Sequence, residues 1–292
     1  MDIFLMVVTL IAGVLGSSVM NRFAKKELKN FSDNLLYTFG TSLVCMVVLL
    51  AAGGWKSVHI ETVLLAALFG LCQFLASVLS TATYQKGPMS LSSVIMLGGN
   101  LILTVAIGTI FFDGSITTWQ IVGIVLVLAA IFLSSNVKKE KNITKAWVVL
   151  TIIAAVTNAS LGIIQKVQGN AAYHEEQMQF LFWTFFFVLV FNAMALLFNA
   201  KVRKITPTLN LKSRLSWLIL LVGVTTVTQH IINLILVAKL PAAVFFPVNS
   251  GGRIVILGLV GTFIFKEKLS WRQVTAIIIG ILAILLLGGV FG

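Results

Sequence analysis

The stretch FPVNSGGRIVI, Phe246 to Ile256, sets an arginine inside an apolar run, four residues after Asn249 and directly behind Gly251 and Gly252. A guanidinium is planar, permanently charged and carries five donors in a fixed fork, which suits bidentate capture of a carboxylate or phosphate. The flanks PAAVFF and VILGLVGTFIF hold no carboxylate to pair with it. The nine acidic residues, Asp2, Glu27, Asp33, Glu61, Asp113, Glu140, Glu175, Glu176 and Glu267, all fall at the ends of apolar runs or between them. An unpaired guanidinium at a bilayer centre costs at least about 2.5–3.5 kcal/mol. A wet cavity, backbone carbonyls or a bound anion lowers that cost. Arg253 is therefore read as an anion anchor. The structural alternatives are bonding to carbonyls and snorkelling toward an interface.

Other polar groups recur at helical spacing. Thr226, Gln229, His230 and Asn233 stand at i, i+3, i+4 and i+7, which makes one continuous face. Gln73, Ser77, Ser80 and Tyr84 are spaced similarly, and Ser17, Asn21, Asn100, Asn158 and Gln165 lie in or at the ends of further apolar runs. Taken singly, such groups bond neighbouring helices for about 0.6 kcal/mol each. Taken as stripes, they read as the walls of a polar cavity, because polar side chains in hydrocarbon turn toward a bundle interior. His230 is the one group in mid-run that titrates near neutral pH.

Several chemistries are excluded. The sequence has no C-x-x-C, H-E-x-x-H, G-x-x-x-x-G-K-[ST] or G-x-S-x-G, so neither an ATP-driven pump within one chain nor a hydrolase is expected. Cys45 and Cys72 sit in apolar stretches and read as packing residues. His230 has no neighbouring carboxylate, and His59 and His174 lie in loops. The chain is thus expected to have no catalytic residues, metal or cofactor. Rings of charge that would mark a channel are missing. With no carboxylate inside an apolar run, a proton-coupled exchanger of polycationic drugs is disfavoured. Facilitated diffusion, exchange and His-assisted proton coupling stay open.

The elements that must carry these residues follow from composition. The chain is 59% hydrophobic and 10% charged, with a mean hydropathy of +1.04, whereas soluble domains are about 25% charged. Ten apolar runs are each long enough for a roughly 30 Å hydrocarbon core: 2–20, 34–52, 61–82, 89–111, 117–135, 146–164, 177–199, 215–237, 241–265 and 270–291. They are continuous rather than alternating, which excludes a β-barrel. The fold class is an all-α polytopic membrane protein with ten transmembrane helices. The first run lacks a basic leader and is followed by Arg22, Lys25, Lys26 and Lys29, so it reads as a retained helix rather than a cleaved signal. Loops after the odd-numbered helices hold nearly all the lysine and arginine. The even loops and both termini hold only Lys56, Lys166 and Lys239. The positive-inside rule makes the basic loops cytoplasmic and both termini external. The net charge of +12 is then explained by topology and contact with anionic lipids, and nucleic acid is not an expected partner.

The chain also repeats itself. With Lys86 placed on Lys239, Pro88 falls on Pro241, Gly98 and Gly99 on Gly251 and Gly252, Phe112 on Phe265, and Gln120 on Gln273. Gln73, Ser77 and Ser80 then meet Thr226, His230 and Asn233, and Asn100 meets Arg253. The repeats are 1–135 and 146–292, joined by the polar linker 136–145. Five helices is an odd number, so the second copy enters the membrane inverted. Two inverted copies have two near-equivalent arrangements, which predicts alternating access with substrate near the midplane at the repeat interface. Each glycine pair permits either close helix packing or a local helix break. Pro88 and Pro241 mark helix starts.

The segments GGNLILTVAIGTIFFDGSITTWQIVGI and GGRIVILGLVGTFIFKEKLSWRQVTAI, with the FKEKLSWRQ turn at Phe265 to Gln273, resemble the EamA-like branch of the drug/metabolite transporter superfamily. The first copy departs from that turn with FFDGSITTWQ. The resemblance implies two five-helix repeats around a central pocket lined by helices 1, 3, 4, 6, 8 and 9. It also implies that cytoplasmic termini are common, against the charge-based orientation kept here. Its motifs are architectural and name no substrate.

The sequence thus predicts a secondary transporter of a small organic metabolite with an anionic group, in the cytoplasmic membrane. A broad-specificity efflux protein or a flippase of a lipid-linked sugar or phosphate is the alternative. The expected substrate-binding residues are Arg253, Asn249, His230, Gln229, Asn233, Gln73, Ser77, Asn100 and Asn158. Phe245, Phe246 and Trp183 read as packing aromatics. Ala276 and Gly280 form a small-x-x-x-small pair for packing within the chain or for a dimer, so the expected state is a monomer or homodimer.

Overall fold

The computed structural model describes residues 2–28, 30–86, 89–113, 116–134, 143–208, 215–263 and 270–287. Among them are ten α-helices: α1 Asp2–Glu27, α2 Phe31–Ala51, α3 Ile60–Lys86, α4 Met89–Gly108, α5 Thr118–Ser134, α6 Lys145–Asn170, α7 Gln177–Phe198, α8 Leu215–Lys239, α9 Ala242–Phe263 and α10 Trp271–Leu287. No strand occurs among the described residues. α4 and α7 each continue into a π-helical turn, Thr109–Asp113 and Asn199–Arg203. The turn Phe265–Leu269 and most of the 136–145 linker lie outside the described residues.

Among the described residues, seven helices (α2, α3, α4, α6, α7, α8 and α9) are long and apolar enough to cross a membrane. Shorter apolar segments among the described residues are Asp2–Gly16 within α1, and Thr118–Ser134 and Trp271–Leu287. The latter two have 17 residues each, about 25 Å at 1.5 Å per residue. Large apolar side chains face outward, among them Ile3, Ile110 and Phe111, at 73% exposure or more. Trp55, Trp119, Trp217 and Trp271 stand exposed at or beside helix ends, where amphipathic rings suit a headgroup region.

Helix starts are set locally. The Asn30 side chain accepts from the Asp33 amide at 2.8 Å while the Asp33 carboxylate accepts from the Asn30 amide at 3.1 Å, a reciprocal capping box for α2. The Asp33 carboxylate also accepts from the Thr208 amide at 2.6 Å, tying the segment after α7 to the start of α2. Reciprocal caps recur at α5 and α10. Thr117 N–H donates to Gln120 Oε1 at 2.9 Å and Gln120 N–H to Thr117 Oγ1 at 3.3 Å. Ser270 N–H donates to Gln273 Oε1 at 2.9 Å and Gln273 N–H to Ser270 Oγ at 3.4 Å. These two caps occupy matching positions in the aligned sequence halves.

The chain forms two compact units, residues 1–74 with 170–235, and residues 75–169 with 236–292. Each draws on both sequence halves. In the first unit α2 packs antiparallel on α7. A Cβ at Gly54, just past α2, would lie 2.7 Å from Phe182 Cβ near the start of α7, and Asn199 Nδ2 at the end of α7 donates to Ser32 Oγ at the start of α2. In the second unit α5 packs antiparallel on α10, where a Cβ at Gly123 would lie 2.7 Å from Leu287 Cγ. There α4 also packs antiparallel on α9, and a Cβ at Gly108 would clash with Ala242 Cβ. All three contacts join helices of equal rank in the two halves.

Candidate functional site

In the first unit α8 lies against α1 along a row of small residues. Thr9 is buried and its hydroxyl donates to Asn233 Oδ1 at 2.8 Å. One turn on, a Cβ at Gly13 would lie 2.8 Å from Gln229 Cδ. A further turn on, one at Gly16 would lie 2.8 Å from Thr225 Oγ1. The polar face of α8 therefore has α1 as a close neighbour. Asn233 is engaged there, and Gln229 lies flat on a glycine. Thr9 was not among the sequence-derived candidates. Its signal is the Thr9–Gly13–Ser17 spacing of small residues four apart. The side chains of Ser17, Asn21 and Tyr84 lie outside the described residues.

His230 sits edge-on to two phenylalanines of the same unit, with ring centroids 5.9 Å from Phe69 and 5.6 Å from Phe185. Gln73 Oε1 on α3 is buried without a hydrogen-bond partner among the described residues. Trp183 packs against Phe182, Phe186 and Phe187. A shallow, nearly apolar groove between α1 and α8, lined by Val8, Ala12, Leu15, Val224 and Thr228, offers no charged group to a polar ligand.

The second unit holds α9. Pro247 lies inside this helix, so the Ala243 carbonyl loses its i+4 donor. Beyond it the helix runs on through Gly251 and Gly252. A Cβ at Gly251 would lie 3.2 Å from Val127 of α5 and 3.8 Å from Ile284 of α10. One at Gly99 would lie 3.1 Å from Ala155 Cβ of α6. These glycines serve close packing rather than a helix break. A Cβ at Gly280 of α10 would lie 3.3 Å from Val255 Cγ2 and Ala276 is fully buried, so the small-residue pair of α10 packs within the chain. Phe246 is buried against Gly108 and Gly162.

Asn249 and Arg253 stand one turn apart on α9. The Oδ1 atom of Asn249 is buried and has no hydrogen-bond partner among the described residues. Arg253 is half-buried, and no described residue pairs with its guanidinium. Of the other candidates of this unit, Asn158 is tied to its own helix by its side chain, while Asn100 and Ser77 accept bonds at their backbone carbonyls. Asn158 Nδ2 donates to its own helix at Ala154 O, 2.8 Å away. The Asn100 carbonyl accepts from Thr104 Oγ1 at 2.7 Å. The Ser77 carbonyl accepts from Thr81 Oγ1 at 2.9 Å, and Ser80 Oγ lies 3.6 Å from Met96 Sδ.

One charged group acts where the sequence did not place it. Lys166 was expected in an outward loop. It is buried within α6, and its ammonium donates to the Val237 carbonyl at 3.1 Å and the Leu240 carbonyl at 2.9 Å. Both are orphan carbonyls. The i+4 position for Val237 is Pro241, which has no N–H. The i+4 donor for Leu240, Val244 N–H, bonds Pro241 O instead. In the first unit, His59 Nδ1 meets Glu176 Oε1 at 2.6 Å, the His59 amide donates to the same carboxylate at 3.1 Å, and the His59 ring stacks on Tyr173. Burial raises the Glu176 pKa, but hydrogen bonds from Thr62 and His59 outweigh it and hold the carboxyl below its ordinary value.

No family model matches the chain, and no curated protein matches it in sequence. In structure, 28 solved chains match. One of them, described only as "Crystal structure of protein", aligns with a TM-score of 0.73 at 12% identity, covering 98% of this chain and 98% of that one. A likeness at that identity establishes a shared fold and carries no function with it.

Proposed function

We propose that the chain is a secondary transporter of a small organic metabolite with an anionic group. It works in the cytoplasmic membrane by alternating access of two inverted five-helix repeats, with no catalytic step. The observation that carries this reading is Arg253: a permanent cation inside an apolar helix, half-buried, with no carboxylate partner among the described residues. A guanidinium so placed is stabilised by a ligand that brings the missing negative charge.

Two features support the inverted repeat. Helices of equal rank in the two halves pack antiparallel, α2 on α7, α4 on α9 and α5 on α10, as a two-fold axis across the helices requires. The same capping box starts α5 and α10 at aligned positions. A duplicated unit inserted upside down has this symmetry, and it supplies the paired conformations that alternating access needs.

The test is a thermal-unfolding screen of the purified protein in detergent against carboxylate, phosphate, zwitterionic, neutral and cationic metabolites, with Arg253→Gln alongside. A ligand at about 100 times its Kd stabilises by about 2.7 kcal/mol. Anions should stabilise the wild type and not the variant. Equal stabilisation of both by neutral or cationic compounds would overturn the anion anchor.

A further inference from the structure

Arg253 and Asn249 present opposite hydrogen-bonding demands one helical turn apart. The guanidinium offers only donors. The buried amide oxygen of Asn249 is an acceptor with no donor among the described residues. Side chains at this spacing have Cβ atoms about 5–6 Å apart, so one small molecule spans both. A ligand whose polar atoms are all acceptors, such as a bare carboxylate, answers Arg253 and leaves Asn249 Oδ1 buried and unmet. A ligand that also carries an O–H or N–H near its carboxylate answers both.

From this pair we infer the substrate class: a small carboxylate with a hydroxyl or amino donor on the carbon beside the carboxylate, or one carbon further. Arg253 takes the carboxylate and Asn249 Oδ1 takes the donor. The inference rests on the anion-anchor reading above and narrows it. Leaving a buried acceptor unsatisfied weakens binding by from about fivefold to more than a hundredfold, so the site discriminates within matched ligand pairs. The repeat mates of these two residues are Met96 and Asn100, so the charge and its neighbouring acceptor belong to the second repeat alone.

The experiment measures Kd for butanoate, 2-hydroxybutanoate and 2-aminobutanoate, and for succinate, malate and aspartate, on the purified full chain. The wild type should bind the donor-bearing members at least about fivefold tighter than the bare carboxylate of each set. Whether the hydroxy or the amino member leads decides which donor the site takes. Asn249→Ala should bring the ratio close to one, and Arg253→Gln should weaken every member. A wild-type ratio near one overturns the inference without any variant, and so does a ratio that survives Asn249→Ala. If carboxylates bind only when Arg253 is present but without donor preference, the anchor stands and this inference falls. If no carboxylate binds, or binding ignores Arg253, both fall.

Discussion

Lys166 gives the sharpest energetic prediction. Its ammonium holds the two carbonyls that Pro241 leaves without backbone donors, those of Val237 and Leu240. Hydrogen bonds to a charged group contribute about 1.5–3 kcal/mol each, so the pair is worth roughly 3–6 kcal/mol gross. Lys166→Met removes both and also relieves the burial of a cation, which at a helix centre is worth about 2.5–3.5 kcal/mol and less one turn from the end of α6. The net loss is expected at about 1–3 kcal/mol. The mechanism has a built-in rescue. Pro241→Ala restores an N–H that reaches Val237 O, one neutral bond of about 0.5–1.5 kcal/mol. Lys166→Met should therefore cost less by about that amount in the Pro241→Ala background than in the wild type. The propensity effect of Pro241→Ala cancels in the cycle. Equilibrium unfolding in mixed micelles, followed by tryptophan fluorescence, reads all four proteins. A Lys166→Met cost below about 0.5 kcal/mol, or one equal in both backgrounds, would refute the assignment of Lys166 to these carbonyls.

Two further predictions are quick to check. The folded pKa of Glu176 lies below its ordinary value of about 4.5, so its stabilisation is fully present above that value and is lost as pH falls through the depressed one. The difference in melting temperature between wild type and Glu176→Gln should shrink as pH falls below 4.5; a difference that grows below 4.5 contradicts the sign. A cysteine placed at Lys138 in the linker should be protected from a membrane-impermeant thiol reagent in intact cells. Labelling from outside would invert the proposed orientation.

Much of the architecture was legible because apolar length is an unambiguous signal. The runs 177–199 and 215–237 became Gln177–Phe198 and Leu215–Lys239. α3 and α6 extend to Lys86 and Asn170, beyond the apolar runs 61–82 and 146–164, because helical hydrogen bonding continues into polar sequence where hydropathy cannot follow it. Arg253 was legible because a charge in an apolar run is costly wherever it points. Lys166 was not: it resembles a loop-flanking lysine, and its role depends on a proline far along the chain. Thr9 was only partly legible: its spacing with Gly13 and Ser17 marks a close helix contact, but not the Asn233 that lies opposite. The agreement between the two sequence halves was readable from aligned glycines and prolines, but the antiparallel pairing of equal-ranked helices needed coordinates.

That pairing has a consequence for how the molecule is made. The partners of α2, α4 and α5 are α7, α9 and α10, so the first half of the chain leaves the ribosome with its contact faces uncovered. Those faces wait in the membrane until the second half is synthesised. Neither half completes a compact unit by itself. Severing the chain in the polar linker therefore yields two fragments that need each other, and synthesis of both in the same cell is the condition for recovering the fold.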